Sequence, residues 1–97
     1  MSSSELIAVS EHAGFMKISL QRPERKNALT HEMSSAMTSA LASADNTPAS
    51  RVVLITGTQD CFTAGNDMVD FLNNPPSGGD APVMRFLAQL VEMEKPI

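Results

Sequence analysis

The segment Phe62-Thr-Ala-Gly-Asn-Asp-Met68 carries residue types that suit a carbonyl substrate. Ala64 and Gly65 have almost no side chain, so a ligand can lie against the backbone there. Gly65 permits a sharp turn, and a short helix starting at Asn66 would leave free N–H groups at its positive end. Donors of that kind hold the oxygen of a carbonyl as it becomes an enolate. The same residues also suit a tight strand-to-helix turn packed by Phe62. The segment alone does not separate the two.

A second cluster has a different chemistry. Three of the seven basic residues, Arg22, Arg25 and Lys26, fall within five positions of an otherwise acidic chain. Such a knot can mark where an anionic ligand docks, or it can be a solvated turn. The remaining reactive residues point to structure. His12 falls in an expected hairpin turn and His31 in the first turn of an expected helix, and both read as surface histidines. Cys61 precedes an apolar residue and reads as packed rather than nucleophilic. Asp60, Asp67 and Asp70 lack the spacing of a calcium loop, so no metal site is expected. The seven methionines, mostly on helical stripes, read as core filler. There is no Gly-x-x-x-x-Gly-Lys-Ser/Thr, Gly-x-Gly-x-x-Gly, Cys-x-x-Cys, paired-histidine helix or Gly-x-Ser-x-Gly segment.

The elements that must position these residues are legible from periodicity. Leu6-Ile-Ala-Val9 and Phe15-Met-Lys-Ile-Ser-Leu20, separated by a turn at Glu11–Gly14, read as a β-hairpin. Pro23 stops the second strand. Thr30 reads as an N-cap, and Met33, Met37, Ala40, Leu41 and Ala44 then line one face of a helix closed by Asp45-Asn-Thr-Pro48. Val52-Val-Leu-Ile-Thr56 is expected to be a strand buried on both faces of a largely parallel sheet. Residues 73–80, rich in Asn, Pro, Ser and Gly, read as a mobile loop. Asp80 then caps a helix with Pro82 in its first turn, an apolar stripe at Val83, Phe86, Leu87, Leu90 and Val91, and a stop at Lys95-Pro96.

At 97 residues the chain is one small domain or less, able to bury about 60–68% of its unfolded surface. It is 42% hydrophobic and 19% charged, which is globular material. A net charge of −4 argues against nucleic acid. A single cysteine fits a reducing compartment, no run approaches the ~20 residues of a membrane span, and no secretory signal is visible. The expectation is a cytoplasmic protein with no membrane partner. The elements form too little sheet to cover both helices, so the chain reads as the amino-terminal portion of a larger α/β protein. A self-sufficient small domain that oligomerises is the competing reading.

Arg22-Pro-Glu-Arg-Lys-Asn-Ala-Leu29, Val52-Val-Leu-Ile-Thr-Gly57 and Phe62-Thr-Ala-Gly-Asn-Asp67, in that order and spacing, resemble the crotonase (enoyl-CoA hydratase/isomerase) superfamily. Lys95-Pro96-Ile97 resembles the segment leading into that family's next core strand. The resemblance covers nearly all of the chain and implies a spiral of ββα units, here incomplete as a domain: hairpin, helix, buried strand, oxyanion loop, helix. It also implies a homotrimer or hexamer for the complete protein, and an acyl-CoA thioester as substrate with no separate cofactor. On this resemblance the backbone N–H of Asn66 is one of two oxyanion donors. The CoA moiety passes Arg25, Lys26 and Ala28, and its adenine packs near the backbone of Ala64, Asp67 and Met68, beside Gly65. CoA phosphates then become the anionic partner of the basic knot.

The family's second oxyanion donor and its carboxylate acid/base residues lie beyond position 97. Loss of one oxyanion donor costs ~10²–10³ in turnover. Loss of general acid–base groups costs a further ~10²–10⁴. The 97 residues alone are therefore expected to be inactive. Asn66, the absence of a lysine soon after Asp67, and the Pro75–Gly79 loop most resemble the Δ3,Δ2-enoyl-CoA isomerase branch rather than a hydratase. The alternative from another class is a non-catalytic CoA-binding or assembly module that keeps the fold.

Overall fold

The structure, a computed structural model, describes residues 6–58, 60–75 and 78–97. The expectation of a mobile loop at 73–80 falls partly on Pro76 and Ser77, and the reading of the amino terminus falls on 1–5. Both lie outside the described residues.

The expected hairpin forms, with longer strands. β1 (Ile7–His12) pairs antiparallel with β2 (Gly14–Leu20), Ile7 facing Leu20 and His12 facing Phe15. Gly14 takes φ +88°, which lets the chain reverse through a very short turn. Met16, Ile18 and Leu20 are buried while their odd-numbered neighbours are half-buried, so the period of two is real.

Helix α1 (His31–Asp45) starts at Thr30, whose hydroxyl accepts from the Met33 amide at 3.2 Å. Met33, Met37, Ala40, Leu41 and Ala44, the whole expected stripe, are buried against the sheet together with Ser34. β3 (Ser50–Thr56) lies parallel to β2, giving the order β1-β2-β3.

β3 corrects one expectation. Val53 is buried, but Val52 is 39% and Leu54 46% exposed. Its continuous apolar run predicted burial on both faces. In the described residues α1 covers the Val53 face, while the alternating side chains Val52 and Leu54 point to the other.

Two short helices follow, α2 (Met68–Asn73) and α3 (Pro82–Glu92). α3 packs against α1, and Phe86 and Leu90 reach the core, but Leu87 and Val91 from the expected stripe are exposed. Its N-cap is Ala81, without a side-chain cap bond, so Asp80 does not cap it. It ends at Glu92, before Lys95-Pro96. Lys95 instead reaches back to α1: its Nζ donates to the carbonyls of Ala44 and Thr47 at 2.7 and 2.6 Å, a cation at the negative end of a helix. The Pro96 carbonyl accepts from the Val53 amide at 3.0 Å, so the chain returns alongside β3. Met16, Met33 and Met37 fill the core as expected, whereas Met68 and Met84 are exposed.

Among the described residues, no helix is long and apolar enough to cross a membrane.

Candidate functional site

The two motifs, nearly forty residues apart, are laced edge to edge. The turn at Pro23–Arg25 ends in Lys26 and Asn27, both left-handed at φ 52° and 56°. Two consecutive left-handed residues reverse the chain, and asparagine is among the residues that best tolerate that conformation. Residues 26–29 then run beside 64–67. The Ala64 amide donates to the Lys26 carbonyl at 3.0 Å, the Leu29 amide to Gly65 at 2.7 Å, and the Asp67 amide to Leu29 at 2.8 Å. This is a single parallel bridge between Leu29 and Asn66.

Side chains lock the bridge. Asn27 is fully buried. Its Nδ2 donates to Thr58 Oγ1 and to the Cys61 carbonyl, both at 3.0 Å, and its Oδ1 accepts from the Arg22 amide at 2.8 Å. The Thr63 hydroxyl donates to the Asn27 carbonyl at 2.6 Å and accepts from the Gly65 amide at 3.1 Å. Arg22 Nη1 donates to Asp67 Oδ2 at 2.7 Å and to the Ala28 carbonyl at 3.0 Å. These polar groups satisfy one another, as burial requires.

Asp67 caps α2 as well: its Oδ1 accepts from the Asp70 amide at 2.9 Å. That backbone bond, followed by the Arg22 guanidinium, holds the Asp67 carboxyl below its ordinary carboxylate range, against the opposing effect of burial. The expectation that a helix begins at Asn66 is therefore corrected. The helix begins at Met68, with the Asp67 side chain as its cap.

Asn66 is left outside regular structure. The bridge uses the amides of Leu29 and Asp67, so the Asn66 N–H points away from it and, among the described residues, meets no protein acceptor. Asn66 is exposed. Gly65, at φ +93°, makes the turn into it, with open space where a Cβ would be. Neither of two hollows in the fold includes Asn66 among its lining residues. One, of about 210 Å³, is lined by Arg22, Arg25, Thr30, Asp67, Asp70 and Asn73 among others. The other, of about 120 Å³, lies between α1 and α3.

The other expected site residues fall around this bridge. Arg25 and Lys26 are exposed and, among the described residues, form no ion pair. Ala28 is half-buried, Ala64 exposed, and Met68 65% exposed at the start of α2. Arg22 lines the larger hollow beside Arg25, but its guanidinium is paired with Asp67 and only 17% of its side chain is exposed. Phe62 is exposed, and Cys61 is half-buried with its Sγ 3.4 Å from the Lys26 carbonyl. His31 is not a plain surface histidine: its amide donates to Asp70 Oδ2 at 2.9 Å and its ring Nε2 is buried without a partner among the described residues. His12 is exposed and stacks on Phe15 with centroids 4.8 Å apart. No group of three or more His, Cys, Asp or Glu able to hold a metal occurs among the described residues.

Residues 10–97 match the sequence profile of the enoyl-CoA hydratase/isomerase family. The chain belongs to that family, within the crotonase superfamily. Among curated relatives, human enoyl-CoA delta isomerase 2 is 31% identical over 96% of this chain, which covers 25% of that protein. Among solved structures, Pseudomonas aeruginosa OdaA is 52% identical with a TM-score of 0.91, over 96% of this chain and 38% of that one. An enoyl-CoA hydratase/isomerase from Pseudoalteromonas atlantica T6c is 38% identical with a TM-score of 0.87, over 96% and 37% respectively. The chain thus spans about a quarter to two-fifths of such relatives, and its α/β fold is the amino-terminal part of a crotonase fold.

What sequence reasoning missed is the lacing. The signal was present, since Arg22 and Asp67 stand at the outer ends of the two motifs. Only the fold shows that those ends meet.

Proposed function

We propose that this chain is the acyl-CoA-binding amino-terminal segment of an enoyl-CoA isomerase or hydratase, with the Asn66 backbone N–H as one oxyanion donor for a thioester enolate. The observation that carries this reading is the Asn66 amide, which has no protein acceptor among the described residues while the amides on either side of it are engaged. A donor held in place before the substrate arrives needs no reorganisation when charge develops. Arg25 and Lys26, free on the surface beside the bridge, supply cations for the CoA phosphates. Ala28, Ala64, Gly65, Asp67 and Met68 present backbone and small side chains along the path of the CoA moiety.

Isomerisation moves one proton between C2 and C4 of a dienolate, whereas hydration must place a water. Both need acid/base groups that these residues do not provide, so the 97-residue chain turns over neither a 3-enoyl-CoA nor a 2-enoyl-CoA. The protein extended to the length of its relatives isomerises 3-enoyl-CoA in preference to hydrating 2-enoyl-CoA and assembles as a trimer or hexamer. Conjugated-thioester absorbance separates the two activities.

The test on the chain itself is a titration of ¹⁵N-labelled protein with CoA and with a 3-enoyl-CoA. The Asn66 amide resonance is expected to move with the enoyl thioester, and those of Arg25 and Lys26 with both ligands. An Asn66 resonance unmoved at saturating thioester overturns the reading.

A further inference from the structure

The direction of the Asn66 N–H is set by a chain of planar groups. A trans peptide carries its C=O and N–H on opposite sides. The Ala28 carbonyl and the Leu29 N–H therefore belong to one plane, and the Gly65 carbonyl and the Asn66 N–H to another. Leu29 N–H donates to the Gly65 carbonyl at 2.7 Å, which joins the two planes head to tail. Arg22 Nη1 donates to the Ala28 carbonyl at 3.0 Å, at the far end of the array. The sequence of donors runs from the Arg22 guanidinium through Ala28–Leu29 and Gly65–Asn66 to a terminal N–H that, among the described residues, has no protein acceptor.

We propose that Arg22 is a positioning residue for the oxyanion donor, acting through these two peptide planes. The proposal rests on the reading of Asn66 as that donor. Three observations carry it. Arg22 is the member of the basic knot turned inward, its side chain 17% exposed, whereas Arg25 and Lys26 face solvent. Its one Nη1 grips both sides of the bridge, at Ala28 and at Asp67, residues directly adjacent to the bridged pair Leu29 and Asn66. The bonds align the dipoles of both peptides in one sense, with their positive ends towards Asn66, and aligned hydrogen bonds polarise one another. Asp67 balances the guanidinium charge, so what Arg22 contributes is alignment rather than a net positive field. Arg22 touches no substrate in this scheme, and the CoA phosphates belong to Arg25 and Lys26.

The experiment compares binding of an S-acyl-CoA with binding of the S-alkyl thioether of the same chain length, which lacks the carbonyl oxygen. Arg22→Met is expected to lower the preference for the acyl over the alkyl ligand by about tenfold, leaving thioether affinity within about twofold. The Asn66 amide shift on acyl-CoA binding shrinks in parallel. Arg22→Lys keeps one charged donor and is expected to recover part of the preference. A purely structural role would lower both affinities together, and that result, or an unchanged preference in a folded R22M, overturns the proposal. If R22M loses its dispersed amide spectrum, the wild type decides. The Leu29–Gly65 through-hydrogen-bond coupling must then strengthen on acyl-CoA binding and stay constant with the thioether; constancy with both ligands refutes it. A wild type that binds both ligands equally, with Asn66 unmoved, removes the reading of Asn66 and the proposal together.

Discussion

The Asp67 carboxylate accepts from the Asp70 amide through one oxygen and from Arg22 through the other, so a single side chain both starts α2 and ties it to the basic turn. Both partners favour the ionised form, which is why its carboxyl is held below the ordinary range. A depressed folded value means that the stabilisation is fully present above the unfolded carboxylate value of about 3.9 and is lost as pH falls through the folded one. Denaturation midpoints of the wild type should thus decline below about pH 4. D67N should be less stable at neutral pH and should show a shallower acid decline. Parallel acid limbs in urea titrations of the two proteins would contradict this.

Asn27 lies entirely out of solvent with both ends of its amide engaged. Asn27→Ala strands the Arg22 amide and removes one of two donors to the Cys61 carbonyl, which keeps its bond from the Thr58 amide. The expected loss is about 2–4 kcal/mol, seen as a lower urea midpoint. Asn27→Asp keeps the shape but removes both Nδ2 donors, so it should also destabilise, by less at low pH where the carboxyl can carry a proton.

The two glycines of the loop fail in different ways. A Cβ on Gly57 would meet the Cys61 carbonyl oxygen at 2.1 Å and Phe62 Cα at 2.5 Å, both backbone. Gly57→Ala must displace the turn that presents the site, at a cost of about 1–3 kcal/mol. A Cβ on Gly65 meets nothing, but its φ of +93° is unfavourable for an L side chain. Gly65→Ala should cost about 1–2 kcal/mol of backbone strain and leave Thr58 and Cys61 amide shifts in place. Chemical-shift maps of the two variants distinguish the mechanisms.

Arg25 and Lys26 carry the phosphate contacts under the proposed function. Arg25→Ala and Lys26→Ala should each weaken CoA binding about three- to tenfold at low salt, with no effect on the urea midpoint. Because both cations are exposed, the deficit should shrink as ionic strength rises and the Debye length falls. A deficit independent of salt, by calorimetry, would count against a phosphate partner.

Sequence alone determined whatever rests on local repetition. The period of two in Phe15–Leu20 and the 3.6 period of Met33–Ala44 announced strand and helix faces that the structure buries as expected. Thr30 announced its cap, because a hydroxyl at that position can accept from an amide two or three residues on, here Met33. Motif order and spacing indicated the family. What the sequence left undecided depends on meetings between distant segments. The run at Val52–Thr56 is equally apolar whether one face is covered or two, and only packing shows Val52 and Leu54 exposed. The three residues of the basic knot look alike in one dimension, yet the fold turns Arg22 inward onto a carboxylate 45 positions away and leaves Arg25 and Lys26 outside. Helix α2 starts one residue beyond Asp67 for the same reason, since it is capped there by a side chain that Arg22 also holds. Local patterning fixes which face of an element is apolar; only tertiary contact decides which polar groups are consumed and which, like the Asn66 amide among the described residues, are left without a protein partner.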